Sequence, residues 1–426
     1  MCTQRWFATQ RAPLGAIAAF VGCLYLSAVP VAAADDAVME WNQIAVAATV
    51  AAGQGPLPQV RSMAIVQVSV HDAVNAITCD SRTYLWIACG RWGSPEAAAI
   101  GAAHRALVGL FPSQAATLNQ ARATSLAARG LKDTSPGVAF GEAVASVILS
   151  IRSNDGASQA QFPYTAPGAG SPGVWVPVGA AAPLLPGWGQ VNPWVMRSAT
   201  QFEVDGPPAL YTRRYARDYN EVKDLGSLNS TTRTAEQTEI GRFWLATPTV
   251  IWNNVARQLI QAKGLDLSAS ARTFALLYLA SADAGIACWH TKYSLNFWRP
   301  ITAIQHGDDD DNPRTVADPT WAPLFPTPQH PDYVSGHSTN SSAMATVLIL
   351  LFGDKLETPI VATSPTNPGF ERHWSALSDG VDEVMDARVF SGIHFRTANE
   401  DGAQLGRKIA KFVATHALRD RKNSKD

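Results

Sequence analysis

Between Ala37 and about Arg152, apolar and small residues recur at helical spacing in "SMAIVQVSVHDAVNAI", "PEAAAIGAAHRALVGLF" and "GVAFGEAVASVILSIR". Alanine and glycine crowd these stretches, which predicts helices packed on helices. The pattern breaks over residues 162–210, where proline and glycine accumulate around Trp175, Trp188 and Trp194. That is long for structureless chain inside a domain and predicts a wrapping segment anchored by its aromatics. From about Tyr211 the helical period returns in "TAEQTEIGRFWLA", "VIWNNVARQLIQAKG" and "SASARTFALLYLASADAGIACWHTKYSLNF". The last of these is expected to end at Pro300, which lacks a backbone donor. Proline, aspartate and tryptophan fill 306–335, and helical pattern resumes at roughly 338–352 and 400–417. No strand-rich region competes and no repeat is visible. The expectation is an all-α fold of helical bundles in one domain, residues 35–426. Its N-terminal half with the wrapping segment covers 35–210, and its second half, 211–426, carries the chemistry.

The first 34 residues read differently. Arg5 and Arg11 precede an apolar stretch from Ala12 to Ala34, which closes on Ala32-Ala33-Ala34 before Asp35-Asp36. This is the layout of a signal peptide cleaved after Ala34, and it predicts a periplasmic or secreted protein. Pro13 and Pro30 interrupt the segment as a membrane anchor, and Phe20-Val21-Gly22 before Cys23 fits a lipobox poorly. The apolar run at 343–352 is too short to span a bilayer, so no integral membrane association is expected after cleavage.

With 46% hydrophobic and 16% charged residues, the chain of 426 can bury a large core. Loss of the two leader arginines takes the formal charge from −1 to −3, and nothing in the balance suggests a nucleic-acid partner. Cys79 and Cys89 are close enough in sequence to pair in an oxidising compartment, leaving Cys288 as a buried free thiol.

Three short stretches carry candidate chemistry. In "KYSLNFWRP", Lys292 and Arg299 are seven residues apart; on a continuous helix they share a face at roughly 10 Å and can grip one anion. Two cations snorkelling on a half-exposed helix would give the same spacing, but Trp289, Phe297 and Trp298 argue for a buried strip. In "PTPQHPDYVSGHSTNSSAMATVLILL", Ser335-Gly336-His337 turns into an apolar helix whose first N–H groups suit an anion. An ordinary helix cap explains Ser335 or Ser338 but gives His337 no task. In "DARVFSGIHFRTANEDG", Arg388 and His394 are six apart and converge only if Ser391-Gly392 breaks the helix.

Taken together, K-x6-RP, SGH and R-x5-H, in that order, resemble the signature blocks of the vanadium haloperoxidase and type-2 phosphatidic acid phosphatase superfamily, in particular its soluble exported bacterial members. Val334 and Ala387 depart from the usual proline and serine, but neither change removes an anion ligand, and His290 falls where many members carry an acid. The resemblance implies that Lys292, Arg299 and Arg388 clamp a bound oxyanion with Ser335 and the Gly336 N–H. It makes His394 the axial residue, a vanadium ligand in the peroxidases or the phosphohistidine nucleophile in the phosphatases, and His337 the acid–base partner. The implied cofactor is vanadate, with phosphate able to take its place, and the implied partners are hydrogen peroxide, halide and small organic acceptors. Trp289 and His330 fall at positions that line the halide side, and a histidine at 330 favours bromide or iodide over chloride. A soluble periplasmic acid phosphatase is the competing expectation. A non-catalytic oxyanion-binding protein would not need both His337 and His394.

Other residues invite simpler readings. The Asp308–Asp311 run with Asn312 suggests a solvated loop more than a calcium site. Asp283 and Glu239 are candidates to pair with a clamp cation, and His71-Asp72 reads as a hydrogen-bonded structural pair.

Overall fold

A computed structural model describes residues 36–421, so the leader and Cys23 lie outside the described residues. Among those described, the chain forms thirteen α-helices and one short hairpin. The first half comprises α1 (Ala37–Ala51), α2 (Pro56–Thr78), α3 (Pro95–Leu110), α4 (Ala115–Ala128) and α5 (Pro136–Arg152). The second half comprises α6 (Arg213–Leu225), α7 (Ala235–Phe243), α8 (Pro248–Lys263), α9 (Leu267–Leu295), α10 (Pro300–Gln305), α11 (Gly336–Phe352), α12 (Leu377–Phe390) and α13 (Arg396–His416). The fold is all-α, as its periodicity predicts.

The long helix α9 is the axis on which the site is built. It is buried over most of its length, with α2, α11 and α13 packed around it. Two of its buried polar side chains tie it to neighbouring elements: the Ser281 hydroxyl donates to Asn340 Oδ1 at 2.8 Å, and Asp283 accepts the backbone N–H groups of Trp194, Val195 and Met196. Asp283 therefore holds the wrapping segment and does not pair with a clamp cation. Glu239 does not either; it accepts from Asn367 and faces Arg242. Trp175, Trp188 and Trp194 are all buried, and Trp175 N–H donates to Asn296 O at 2.7 Å, so the segment at 162–210 does wrap the helical body.

Close approach of α11 and α13 depends on small residues. A Cβ at Gly406 would run into the Thr339 carbonyl, and one at Gly402 would come within 2.9 Å of Ser335 O. With these contacts open, Ser335 N–H donates to Ala398 O at 2.8 Å, which seats the start of α11 against α13.

Three elements differ from the expectation. First, α9 does not run to Pro300. It stops at Asn296, whose left-handed φ of 48° caps the helix with an N–H bond to Lys292 O, and Pro300 then opens α10 at the position where a missing N–H costs nothing. Second, strands β1 (Lys355–Ala362) and β2 (Arg372–Ala376) pair antiparallel with Ile360 opposite Trp374. Trp374 anchors this hairpin, with Ile360 and Ala362 also buried, by stacking on Trp244 and Trp252 at 5.9 and 5.5 Å. Third, α12 was not marked by the apolar pattern, because acidic residues fill its outward face.

Cys79 and Cys89 form a disulfide, and Cys288 is a buried free thiol. His71 and Asp72 are structural: the ring bridges Asp72 and Ser81, while Asp72 accepts the N–H groups of Tyr84 and Leu85. In the acidic loop, Asp310 turns inward to Thr315 and the Asn312 N–H, and Asp308 accepts from Ala317. No helix among the described residues is long and apolar enough to cross a membrane.

Candidate active site

Lys292 and Arg299 do meet, but not on one helix face. Lys292 belongs to the last turn of α9, the chain reverses at Asn296, and Arg299 enters from the residue before α10. Both side chains are fully buried. Lys292 Nζ donates to the carbonyls of Pro331 and Asp332 at 2.8 and 2.9 Å. Arg299 is held by the carbonyls of His330 and Ile393, by His330 Nδ1 at 2.9 Å and by His394 Nε2 at 3.2 Å.

Arg388 arrives from the last turn of α12, where its guanidinium donates to Trp244 O at 2.7 Å. The helix ends two residues later, and Gly392, with φ at +76°, turns the chain so that His394 comes back towards Arg299. This is the break that the six-residue spacing requires. Ser335 caps α11, its hydroxyl accepting from the Ser338 N–H at 3.5 Å, so the cap reading accounts for its side chain. The same geometry leaves Gly336 and His337 at the mouth of the helix.

A cavity of about 330 Å³ opens beside them, lined by Arg388 and His394 but not by Lys292 or Arg299. Gly336 and His337 also line it, with Trp289, His330, Leu57, Leu184, Leu185 and Pro248. The rings of Trp289 and His330 are 4.7 Å apart, and Trp289 Nε1 donates to Leu184 O. His290 lies away from this cavity on a partly exposed face of α9, near Ser294.

Electrostatics is dominated by burial of like charges. Burial pulls Lys292 down to about 7, and Arg299 and Arg388 add to the fall while Cys288 and Asp332 oppose it. Burial lowers both arginines as well, Arg388 further through Arg299. The guanidinium groups stay charged at neutral pH because their intrinsic basicity is so high. Histidines 330, 337 and 394 are all driven well below the usual imidazole value, first by burial and then by the cations, so all three are neutral. His337 Nε2 donates to Ala246 O at 3.2 Å, which leaves its Nδ1 lone pair free to take a proton.

Sequence reasoning missed two participants. Asp332 is fully buried, with Oδ1 2.8 Å from His394 Nδ1 and 3.8 Å from Arg299 Nη1. Burial raises its carboxyl to about 7, against the pull of Arg299 and Lys292. Its only signal in the chain is an acid three residues before Ser335. Asn340, one turn into α11, also lines the cavity and accepts from Ser281, and nothing in its spacing marks it.

Three buried cations face one buried carboxylate, and Arg388 Nε has no partner among the described residues. Burying unmatched charge costs several kcal/mol per ion. An anion at the start of α11 would remove that cost, with the first-turn N–H groups and the helix dipole supporting it. A small, multiply charged oxyanion fits this donor set.

Residues 272–423 match the family described as the VCPO second helical-bundle domain. Among curated proteins, the chain is 27% identical to the vanadium chloroperoxidase of Curvularia inaequalis, over 68% of this chain and 60% of that protein. It thus spans about 60% of the length of that relative. Among solved structures it resembles a bacterial vanadium-dependent iodoperoxidase, with a TM-score of 0.75 at 24% identity over 91% of this chain and 96% of the other. It also resembles an apo-type bacterial vanadium-dependent chloroperoxidase, with a TM-score of 0.68 at 18% identity over 84% and 93% of the two chains. These structural likenesses establish a shared fold.

Proposed function

We propose that this chain, which has the helical-bundle fold of the vanadium haloperoxidase superfamily and carries that family's second helical-bundle domain over residues 272–423, oxidises halide with hydrogen peroxide in a vanadate-dependent reaction. The observation that carries the reading is the convergence of Lys292, Arg299 and Arg388 on a neutral His394, which lines a cavity together with Trp289 and His330. Vanadate, when bound, would supply a Lewis-acidic centre that activates peroxide towards halide attack. Lys292, Arg299 and Arg388 would neutralise its oxygens, and the Gly336 N–H at the start of α11 would add a directed donor. His394 would offer a ring nitrogen to hold it. His337, neutral with a free Nδ1, would take a proton from an incoming acidic oxygen and return it to a leaving one. Trp289 and His330 would form the halide side, with bromide or iodide favoured over chloride and small organic acceptors consuming the hypohalous acid. Phosphate would occupy the same place as a competitor.

The reading includes export to the periplasm or medium with a leader of residues 1–34, which the Cys79–Cys89 disulfide supports because such bonds persist in oxidising compartments.

The deciding experiment starts from anion-free protein. Added vanadate and hydrogen peroxide are expected to elicit bromide-dependent oxidation of a phenol reporter, and phosphate to suppress it. If vanadate only inhibits, and a phosphate ester is cleaved through a trappable phosphohistidine at His394, the protein is an acid phosphatase and the peroxidase reading fails.

A further inference from the structure

We propose that the disulfide-closed loop after α2 is a docking surface for an anionic lipid bilayer, with Trp86 and Trp92 as its anchors. The inference is independent of the oxyanion site. Trp86 and Trp92 are 79% and 81% exposed, while every other tryptophan among the described residues is buried.

The loop that carries them is braced. The Cys79–Cys89 disulfide closes its base, and the Arg91 N–H donates to Ala76 O at 2.9 Å, which ties its far side back to α2. Within the loop, Asp72 accepts the N–H groups of Tyr84 and Leu85 at 2.7 and 2.8 Å, and Thr83 Oγ1 accepts the Ile87 N–H at 2.7 Å. Trp86 stands at the tip of this turn with φ at +56°, a conformation unfavourable for a bulky residue and usual for glycine or asparagine. The fold gains nothing from an exposed indole in a strained position. The contact that compensates for it lies outside the chain.

The surroundings say what that contact is. Residues 80–82 run beside the C-terminal stretch through the Ser81–Asp420 bridge, and the Arg82 N–H donates to Arg419 O at 2.8 Å. Arg82, Arg91, Arg419 and Arg421 therefore gather around the loop against Asp80 and Asp420, a local excess of positive charge on a chain whose formal total is −1. Asp266 and Arg272, which line the adjoining cavity, cancel each other. Arg91 and Arg419 are exposed. Indoles sit at the headgroup level of a bilayer, and neighbouring cations meet the phosphates of anionic lipids. A second copy of this chain fits less well. Two such indoles offer on the order of 300–400 Å², whereas a stable protein interface needs about 800 Å² per partner.

Co-sedimentation with vesicles tests this, using the chain from Asp35, which forms one compact unit. Vesicles of phosphatidylglycerol and phosphatidylethanolamine are expected to carry the protein down, and vesicles of phosphatidylcholine to carry on the order of tenfold less. Raising salt from about 0.1 to about 0.5 M should weaken the binding by screening the arginines. Trp86→Gly combined with Trp92→Ser should lower the partition coefficient on the order of tenfold or more, and Arg91→Gln alone roughly fivefold. Glycine suits the left-handed φ of residue 86, so an unchanged Tm is the expected control for the double variant. Quenching of wild-type fluorescence by lipids brominated high in the acyl chain reads insertion of the rings without any variant.

Absence of binding to the anionic vesicles overturns the proposal, as does equal binding to phosphatidylcholine, or binding that survives loss of both rings. Self-association of lipid-free protein that the double variant abolishes would assign the surface to a second copy. Retention on an insoluble polysaccharide in place of vesicles would assign it to a glycan. Either result overturns the lipid assignment.

Discussion

Replacing Arg388 by methionine should make the anion-free protein more stable while destroying its response to vanadate. Arg388 is 2% exposed, its Nε has no partner among the described residues, and its guanidinium donates to Trp244 O. Removing the charge relieves a desolvation cost of several kcal/mol. It forfeits a charged hydrogen bond of about 1.5–3 kcal/mol. The balance for the anion-free protein is a gain of about 1–3 kcal/mol. At about 2.1 cal/mol/K per residue over the roughly 390 residues from Asp35 onwards, the unfolding entropy is about 0.8 kcal/mol/K, so Tm should rise by about 1–4 °C. In wild type, vanadate at 100 times its Kd should contribute about 2.7 kcal/mol, or roughly 3 °C. In Arg388→Met that contribution should vanish, so vanadate should raise only the wild-type curve and close or reverse the gap between the two. Differential scanning calorimetry on phosphate-free protein reads both limits. An anion-free variant that melts several degrees below wild type, yet gains as much from vanadate, would refute the view that Arg388 is an unmatched charge awaiting an anion.

Further outcomes follow from the same geometry. Histidines 330, 337 and 394 have folded values well below the ordinary imidazole value, so from about pH 6.5 downwards the unfolded chain takes protons that the folded site refuses, and stability falls. Asp332, raised to about 7, works in the opposite direction and cancels one of the three. The net two protons give a loss of about 2.7 kcal/mol per pH unit below that point, which urea unfolding of anion-free protein at pH 7 and pH 5.5 would measure. Gly336→Ala places a Cβ 3.1 Å from Trp289 Cζ3, and the Trp289 ring is braced by Leu184 O and His330. Displacing that wall should cut kcat/KM for bromide on the order of tenfold with little change in Tm, as steady-state assays would show. Paired Cys79→Ser and Cys89→Ser removes a crosslink across a separation of ten residues and should cost roughly 2–3 kcal/mol in thermal or urea unfolding.

The chain by itself determined the helical class and the residue types of the site. Apolar spacing reveals which face of a helix is buried, and K-x6-RP, SGH and R-x5-H are short enough to be read directly. The tertiary structure decided how those residues meet. Lys292 and Arg299 converge through a left-handed turn at Asn296, which periodicity does not report because the apolar run continues through Phe297 and Trp298. Asp283, a plausible partner for a cation, serves the wrapping segment because Trp194–Met196 bring three N–H donors to it from far along the chain. Asp332 looks like one acid in a proline-rich loop until α12 ends, Gly392 turns, and His394 returns to lie against it. Local spacing fixes which faces are buried. Which buried groups face each other depends on turns and on contacts between residues 60 or more positions apart, and only the packed chain brings those together.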